Sequence, residues 1–327
     1  MPLANKSNVH LDGTSKSRGY MSGKDVTWTG EDTNKHIENW MKDMGMIVAD
    51  TDIPKAGTIS ECLIASGMVG TDMILAKNRD RMFTPIVSIV RCLSKSGIEL
   101  VLMYDHRTQF VEGMNEYGVG ILNATLLNED DAVERPGYNS RQGKLIYGAL
   151  CCKSLDEAIG YLSSRNENGL EGHSLIADPL RAFHVELSEG EDVHITKLDP
   201  QDGFDVRTNH GVIYTGGYSP KDKDHYISSK LRSATAEVEL MDATDDIGVL
   251  NILQKQNFPH DSNYNVNRMV PGKTGMFTSS QTCMNLSTLT FSFHSWGSHC
   301  DFKGLEDKTP SDHEAKITVN ISRTEQK

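Results

Sequence analysis

Short apolar runs bounded by turn-forming residues dominate the chain from Thr58 onward. Runs of this length that are rich in Val, Ile and aromatic residues predict β-strands. Most are separated by hairpin-length connections, which favours antiparallel pairing. The predicted strands cover residues 59–66, 73–77, 86–92, 98–104, 119–126, 174–178, 182–187, 193–198, 277–283 and 286–293.

Helical spacing of apolar residues occurs in two blocks, 143–163 and 226–241. The first is interrupted near Ser154, where a serine followed three residues later by a glutamate predicts a capping box. The second restarts after residue 244 with Asp245 and Asp246 in its first turn, where acidic side chains suit the helix dipole. Hairpin strands interrupted by paired helices predict a layered α+β domain of two packed sheets flanked by helices.

The composition changes near residue 57, which divides the chain into an arm, 1–61, and one domain, 62–327. The first 31 residues are rich in Ser, Gly, Lys, Asn and Thr, and this composition predicts loop structure. Ile37, Trp40, Met41 and Met44 lie at helical spacing and predict one short amphipathic helix. That helix could cover a cleft, dock onto a partner, or pack on the surface of the domain.

Charge and cysteine usage exclude several classes of function. The formal net charge is −12, which argues against binding of a nucleic-acid backbone. No apolar stretch approaches the roughly 18 residues of a membrane span, and the polar N-terminus lacks the apolar core of a secretion signal. We therefore expect a cytoplasmic protein without a membrane partner. The six cysteines show no CxxC spacing, and no Gly-rich phosphate loop is present, so we expect no disulfide framework, metal or cofactor.

Cys62 is the most informative candidate for chemistry. A cysteine in an apolar strand is ordinarily a small buried hydrophobe. Removal of everything before Cys62 would instead give it a free α-amine, with an unperturbed pKa near ~8, that could take the thiol proton. Asp80 follows eighteen residues later, and a hairpin of the first two strands would bring Cys62 and Asp80 close together.

Five sequence features occur in one order along the chain. They are Cys62, the run Lys77-Asn78-Arg79-Asp80, the run Gly113-Met114-Asn115-Glu116-Tyr117-Gly118-Val119 followed by Asn123, the run Thr208-Asn209-His210, and the run Ser228-Ser229-Lys230-Leu231-Arg232. Their order and separations resemble the N-terminal-nucleophile (Ntn) hydrolases of the acyl-CoA:isopenicillin N acyltransferase and choloylglycine hydrolase (penicillin V acylase) type. The resemblance extends from about residue 58 to about residue 302. It implies a four-layer αββα sandwich of two antiparallel sheets flanked by helices.

The resemblance also implies a nucleophile and its partners. Cys62 matches the family's nucleophile, which autocatalytic cleavage of the preceding bond, here Glu61-Cys62, sets free. Asp80 matches the aspartate that hydrogen-bonds the nucleophile's amino group, although an aspartate after a strand is ordinarily a turn cap. Lys77 lies where relatives carry an arginine near the nucleophile. A solvated strand-end lysine is the alternative for Lys77, and Arg79 is a second accessory candidate.

Three further residues acquire roles from the resemblance. Asn123 and Asn209 match asparagines of the oxyanion site, where an amide N–H faces the negative charge that develops on the substrate carbonyl oxygen. Arg232 matches an arginine that organises the charges around the cysteine. The ordinary alternatives are a loop residue that satisfies its own backbone for Asn209 and a solvated or ion-paired helix residue for Arg232.

The implied activity is hydrolysis of a small linear amide, or transfer of its acyl group, without a cofactor. The sequence leaves open which amide is used, whether water or an amine accepts the acyl group, and whether Glu61-Cys62 is cleaved. One alternative is an uncleaved, non-catalytic protein that assembles as a homo-oligomer or with a partner through residues 1–61. Another is a papain-like thiol hydrolase that pairs an internal cysteine with His106, His173 or His210.

Overall fold

The structure is a computed structural model, and most of the chain after residue 60 is described. The predicted amphipathic helix of residues 37–44 and the start of the first predicted strand lie outside the described residues. The described ranges are 61–106, 108, 110–127, 138–163, 170–188, 192–214, 223–258, 262–269, 276–296, 298–303, 305 and 314–322.

Within these ranges the strands form two sheets, one of six strands and one of eight. The strands are β1 (Glu61–Val69), β2 (Asp72–Arg81), β3 (Ile86–Leu93), β4 (Glu99–Asp105), β5 (Phe110–Asn115), β6 (Gly120–Ala124), β7 (Gly172–Ala177), β8 (Ala182–Leu187), β9 (His194–Leu198), β10 (Asp205–Arg207), β11 (Phe277–Asn285), β12 (Thr290–Ser295), β13 (His299–Lys303) and β14 (Ala315–Asn320). The first sheet has the order β10-β1-β2-β11-β12-β14, and the second has the order β13-β3-β4-β5-β6-β7-β8-β9.

Helices flank both sheets. They are α1 (Tyr138–Leu150), α2 (Leu155–Ser163), α3 (Lys223–Leu240) and α4 (Asp246–Leu253), and short 3-10 helices cover Pro200–Asp202 and Ser262–Tyr264. The predicted cap at Ser154 is present, since its hydroxyl accepts from the Glu157 amide at 3.2 Å. Asp245, predicted in the first turn, is instead the N-cap of α4 and accepts from the Gly248 amide at 2.6 Å. Of the helices that the structure describes, none combines the length and the apolar surface that crossing a bilayer requires.

Three apolar cores separate four layers, which confirms the predicted αββα sandwich. The core between the two sheets includes Ile64, Leu75, Val101, Met103, Phe291 and Ile317. A second core lies between the eight-stranded sheet and α1 and α2, and it includes Leu100, Leu102, Ile121, Ile146 and Leu155. A third lies between the six-stranded sheet and α3 and α4, and it includes Leu63, Ala76, Leu240, Val249 and Leu253.

The second sheet departs from purely antiparallel pairing at its edge, where β13 runs parallel to β3. A second departure concerns the run Met114-Asn115-Glu116-Tyr117-Gly118, which resembles a turn of the family: Met114 lies in the strand β5, and the turn begins after Asn115. The Asn115 side chain accepts from the amides of Tyr117 and Val119, both at 3.0 Å, and donates to the Leu150 carbonyl at the end of α1. One side chain thus fixes the β5–β6 turn against α1.

The β1–β2 hairpin brings Cys62 and Asp80 close together, as the sequence predicts. Glu61 pairs with Asp80, and Cys62 pairs with Arg79. Because successive side chains of a strand point to opposite faces, Cys62 faces the inter-sheet core while Glu61 and Asp80 face α3. The hairpin therefore carries different charged groups on its two faces, one with Cys62 and the other with Glu61 and Asp80.

Candidate active site

Cys62 lies at the start of β1 and is 3% exposed. Its backbone N–H donates to Oδ1 of Asn209 at 3.1 Å, because Asn209 follows β10, the strand that pairs with β1. Its sulfur lies 3.8 Å from Nη1 of Arg81. The backbone N–H of Cys62 thus donates to a side-chain oxygen, and its sulfur lies beside a guanidinium group.

Three cations follow one another at every second position of β2, on the face that carries Cys62. They are Lys77, Arg79 and Arg81, and each is buried. Glu112 of β5 accepts hydrogen bonds from both Lys77 and Arg79. Asp105 of β4 lies 3.7 Å from Arg79 and from Arg81. We call these five residues the inter-sheet charge cluster.

The inter-sheet charge cluster has one more cation than carboxylates. Burial lowers the pKa of Lys77, against the opposing effect of the nearby Cys62 and Glu112. Nη1 of Arg79 and Nε of Arg81 have no hydrogen-bond partner in the described part of the chain. These two nitrogens face Asp105 at 3.7 Å, beyond hydrogen-bond distance. The cluster therefore places positive charge beside the Cys62 sulfur, where negative charge would develop during an attack on a carbonyl carbon.

Glu61 occupies the opposite face and is fully buried. One of its oxygens accepts from Arg232 at 2.7 Å and from Arg268 at 2.8 Å, and the other is hydrogen-bonded to His225. Burial alone would raise the pKa of Glu61, but Arg268, His225 and Arg232 outweigh it and lower the pKa to about 2. We call Arg232, Arg268 and His225 the Glu61 socket.

Asp80 lies within β2, so it is not a turn cap. One of its oxygens accepts from the Thr278 hydroxyl at 2.7 Å, and the other accepts from Arg232 at 3.0 Å. Arg232 also contacts Oδ1 of Asn209 at 3.1 Å and the Cys62 carbonyl at 3.4 Å. Arg232 therefore connects Cys62, Asp80 and Asn209, three of the residues that the sequence singles out, and it is not a solvated helix residue.

Asn209 is held in place by α3. The Ser229 hydroxyl accepts from the backbone amides of Asn209 and His210, both at 2.8 Å. The side-chain Nδ2 of Asn209 donates to the Thr125 carbonyl at 2.7 Å. In this arrangement Asn209 offers its oxygen to the Cys62 nitrogen, while its amide hydrogens point toward the end of β6.

Asn123 meets the inter-sheet charge cluster through its backbone. Its carbonyl accepts from Lys77 at 2.6 Å. Its neighbours Leu122 and Ala124 belong to the inter-sheet core, so alternation places the Asn123 side chain on the other face. There Nδ2 donates to the Glu171 carbonyl and to Ser174, both at 2.9 Å.

Several residues of the site were missed by the sequence analysis. Arg81 continues the period of two set by Lys77 and Arg79, and that spacing is a signal that could have identified it. The others come from distant segments and carry no local pattern. They are Asp105, Glu112, His225, Arg268 and Thr278.

A separate buried cluster contains His173, one of the histidines considered for a papain-like site. His173 Nδ1 bonds to His184 at 2.9 Å, and His173 Nε2 bonds to the His210 carbonyl at 2.9 Å. Facing atoms of His173, His184 and Glu186 lie within 4.8 Å, close enough to hold a metal ion. Glu186 already accepts from the amides of residues 212–214, so the hydrogen bonds account for all three side chains without a metal.

Comparisons with known proteins find distantly similar solved structures but no sequence relatives. No family model and no curated protein matches the chain. Among solved structures, penicillin V acylase from Agrobacterium tumefaciens is 12% identical over 80% of this chain and 86% of its own, with a TM-score of 0.43. A conjugated bile acid hydrolase from Clostridium perfringens is 14% identical over 81% and 98%, with a TM-score of 0.42. The Caenorhabditis elegans ortholog of N-acylethanolamine-hydrolyzing acid amidase is 13% identical over 69% and 92%, with a TM-score of 0.46.

Proposed function

We propose that this protein is a self-processing cysteine hydrolase of amide bonds, with Cys62 as its nucleophile. The observation that carries the proposal is the position of Cys62. Its backbone N–H donates to Asn209, and its sulfur lies beside Arg81. Cys62 thus lies between the inter-sheet charge cluster and the Asp80–Arg232 pair.

Self-processing would begin with addition of the Cys62 thiol to the Glu61 carbonyl carbon. The bond from that carbon to the Cys62 nitrogen then breaks, the nitrogen takes up a proton, and a thioester joins Glu61 to the sulfur. Water hydrolyses the thioester, which gives a carboxylate on Glu61 and returns the thiol. Two arginines fix the Glu61 side chain, which limits the motion of the residue that carries the scissile carbonyl.

The mature protein would use the new α-amine as the base. The amine removes the thiol proton, the sulfur attacks the substrate carbonyl, and the amine returns the proton to the leaving nitrogen. Asn209 and the Asp80–Arg232 pair position the amine. Of the two oxyanion residues that the family resemblance implies, the Asn123 side chain lies on the face of β6 away from Cys62, so we keep Asn209 in that role. We add Arg81 as a donor, since its guanidinium group lies beside the Cys62 sulfur.

The first test is the intact mass of freshly purified protein under denaturing conditions. We expect two fragments, 1–61 and 62–327, in the parent protein and one full-length chain in Cys62→Ala. Cys283→Ala is the matched control, because Cys283 is also a strand cysteine and is 1% exposed, on the face that packs against α4. It should cleave like the parent.

A single uncut mass after long incubation would contradict the proposal. The mechanism needs the α-amine, and an uncut chain has none. The role of the fold would then be structural, with residues 1–61 available for assembly. If cleavage occurs, release of amine from a panel of N-acyl amides by the parent protein and not by Cys62→Ala would establish the amidohydrolase activity.

A further inference from the structure

The positive charges of the two arginines in the Glu61 socket are matched by carboxylates only while Glu61 is present. Two guanidinium groups, Arg232 and Arg268, are fully buried and face two carboxylates, those of Glu61 and Asp80. Self-processing turns Glu61 into the last residue of the released segment. Departure of that segment would leave two buried cations facing Asp80 alone, beside a new α-amine on Cys62. A buried charge without a partner is costly, so the emptied socket favours an anion.

We propose that the Glu61 socket is the acyl-side specificity pocket of the mature enzyme, and that it selects amides whose acyl chain ends in a carboxylate. This inference rests on the proposed function. Glu61 supplies the acyl group in the self-processing reaction, since its carbonyl carbon is the one that the Cys62 sulfur attacks. A substrate acyl group that reaches the same sulfur from the same side places its chain where the Glu61 side chain lies.

The length of the Glu61 side chain defines the preferred substrate. Four bonds separate the carbonyl carbon of Glu61 from its carboxylate carbon, as in a glutaryl or an α-glutamyl group. The two oxygens have separate partners, the arginines on one and His225 on the other. Donors on both oxygens suit a carboxylate, which accepts hydrogen bonds at each of its two oxygens. A glutaryl amide therefore reproduces both the length and the charge of the group that occupies the socket in the intact chain.

His225 is the member of the socket nearest to solvent. The Arg232 and Arg268 side chains are fully buried, whereas 14% of the His225 side chain is exposed. His225 lies near the start of α3, next to the segment 215–222 that lies outside the described residues. A ligand carboxylate can therefore be met first by His225 and then by the two arginines deeper in the socket.

The test compares matched amides of one fluorogenic amine, 7-amino-4-methylcoumarin, on the self-processed full-length protein. The glutaryl and pentanoyl amides have the same chain length and differ in the terminal carboxylate. We expect kcat/KM for the glutaryl amide to exceed that for the pentanoyl amide by at least 10-fold. The succinyl and adipoyl amides, one carbon shorter and one longer, should fall below the glutaryl amide.

Two variants connect the preference to the socket. Arg268→Gln should reduce the glutaryl-to-pentanoyl ratio toward one, mainly through KM for the glutaryl amide, and Arg268→Lys should restore part of it. His225→Gln removes the partly exposed partner and should reduce the ratio even if Arg268→Gln fails to fold. Equal hydrolysis of both amides, or faster hydrolysis of the pentanoyl amide, would overturn the inference and leave the proposed function standing. A processed protein that cleaves N-acyl amides but not the glutaryl amide would also overturn the inference and leave the proposed function standing. A chain that never cleaves itself would overturn the inference and the proposed function together.

Discussion

Adjacent residues of β1 have opposite electrostatic surroundings, and this contrast organises the site. Cys62 faces three cations and two carboxylates between the sheets, whereas Glu61 faces two arginines and a histidine beneath α3. Both groups of charges are buried, where interactions between charges are strong and a missing partner is costly. The two faces can therefore be tested separately, through the loss of an anion from the α3 face of the intact chain and through the loss of a cation from the inter-sheet face.

On the α3 face, loss of the Glu61 charge should destabilise the intact chain. Glu61→Gln keeps the size of the side chain but leaves Arg232 and Arg268 with Asp80 as their one carboxylate partner in the described site. Removal of one partner from a buried ion pair costs about 3–5 kcal/mol. We expect a loss of that order in the free energy of unfolding, measured by urea denaturation at pH 7. Both proteins should carry Cys62→Ala, so that cleavage does not change the chain.

The matched control for that prediction is Glu314→Gln. The Glu314 side chain is 62% exposed and pairs with His294 and Lys316 on the surface. Exposed ion pairs contribute about 0–1 kcal/mol, so this variant should unfold close to its parent. Equal stability of Glu61→Gln and Glu314→Gln would show that the Glu61 socket does not need its anion.

On the inter-sheet face, Arg81→Met should slow catalysis of the processed enzyme. Arg81 is the cation whose side chain lies beside the Cys62 sulfur. Loss of one donor to a developing oxyanion lowers kcat by roughly 10²–10³-fold, and we expect a loss of this size with a smaller change in KM. Arg91→Met is the control, because Arg91 is partly exposed and paired with Glu99. A kcat unchanged by Arg81→Met, in a protein that still processes itself, would remove Arg81 from the reaction.

At the scale of elements, local patterns predicted most of the fold. The helix blocks, the break near Ser154 and most strands appear where the periodicity places them, because most of these elements bury an apolar face. β9 is an exception, since its residues are mostly exposed. The remaining strands were not predicted, for different reasons. β5 lies in a run read as a turn, β10 has three residues, and β13 is a parallel edge strand. β14 alternates between buried and exposed residues, a pattern that predicts a strand with one buried face.

The candidate site was less predictable than the fold. Cys62 and Asp80 were found because one hairpin carries them, and Asn209 and Arg232 were found through the family resemblance. The partners of Glu61 come from residues more than 160 positions away, and no local signal relates Arg268 to Glu61. Sequence periodicity reports which face is buried, whereas charge pairing across a fold depends on the tertiary arrangement.

Close packing between strands of the second sheet gives a prediction at the element scale. Gly113 lies in β5 between β4 and β6, and a Cβ there would be 2.1 Å from the Val101 carbonyl oxygen. Because the obstacle is backbone, the strands must separate, and we expect Gly113→Ala to cost about 1–3 kcal/mol or more in the free energy of unfolding. The sheet cannot accept this methyl group by moving a side chain.

Gly160→Ala is the control, and we expect it to change the free energy of unfolding in the opposite direction. Gly160 lies in α2, and a Cβ there has no neighbouring atom within 4 Å. Alanine is the better helix former by about 1 kcal/mol, so this variant should be slightly more stable than the parent protein. Urea denaturation of the two variants side by side measures both effects. If Gly113→Ala unfolds like Gly160→Ala, then β4 and β5 are less closely packed than the structure has them.

At the scale of the whole molecule, buried titratable groups set how stability depends on pH. Burial lowers the pKa of His173 to about 3, and burial together with His173 lowers that of His184 to about 2. In the unfolded chain a histidine takes up a proton near pH 6.5. Between that pH and the lowered pKa values the unfolded state binds protons that the folded state does not, so the free energy of unfolding falls as the solution is acidified. Glu61 adds to this loss between about pH 4.5 and about pH 2.

Removal of one of these histidines should flatten that dependence. His184→Gln keeps an N–H that can donate to His173 but has no titratable group, so the unfolded state loses one proton-binding site. Below pH 6.5 each such group contributes at most about 1.4 kcal/mol per pH unit, and we expect the slope of unfolding free energy against pH, measured in urea between pH 6 and 4.5, to decrease by up to that amount. Measurement at pH 8 isolates the hydrogen bond, since the histidine is neutral in both states there. Parallel curves for the parent and His184→Gln from pH 8 to 4.5 would mean that His184 takes up its proton in the folded protein as readily as in the unfolded chain.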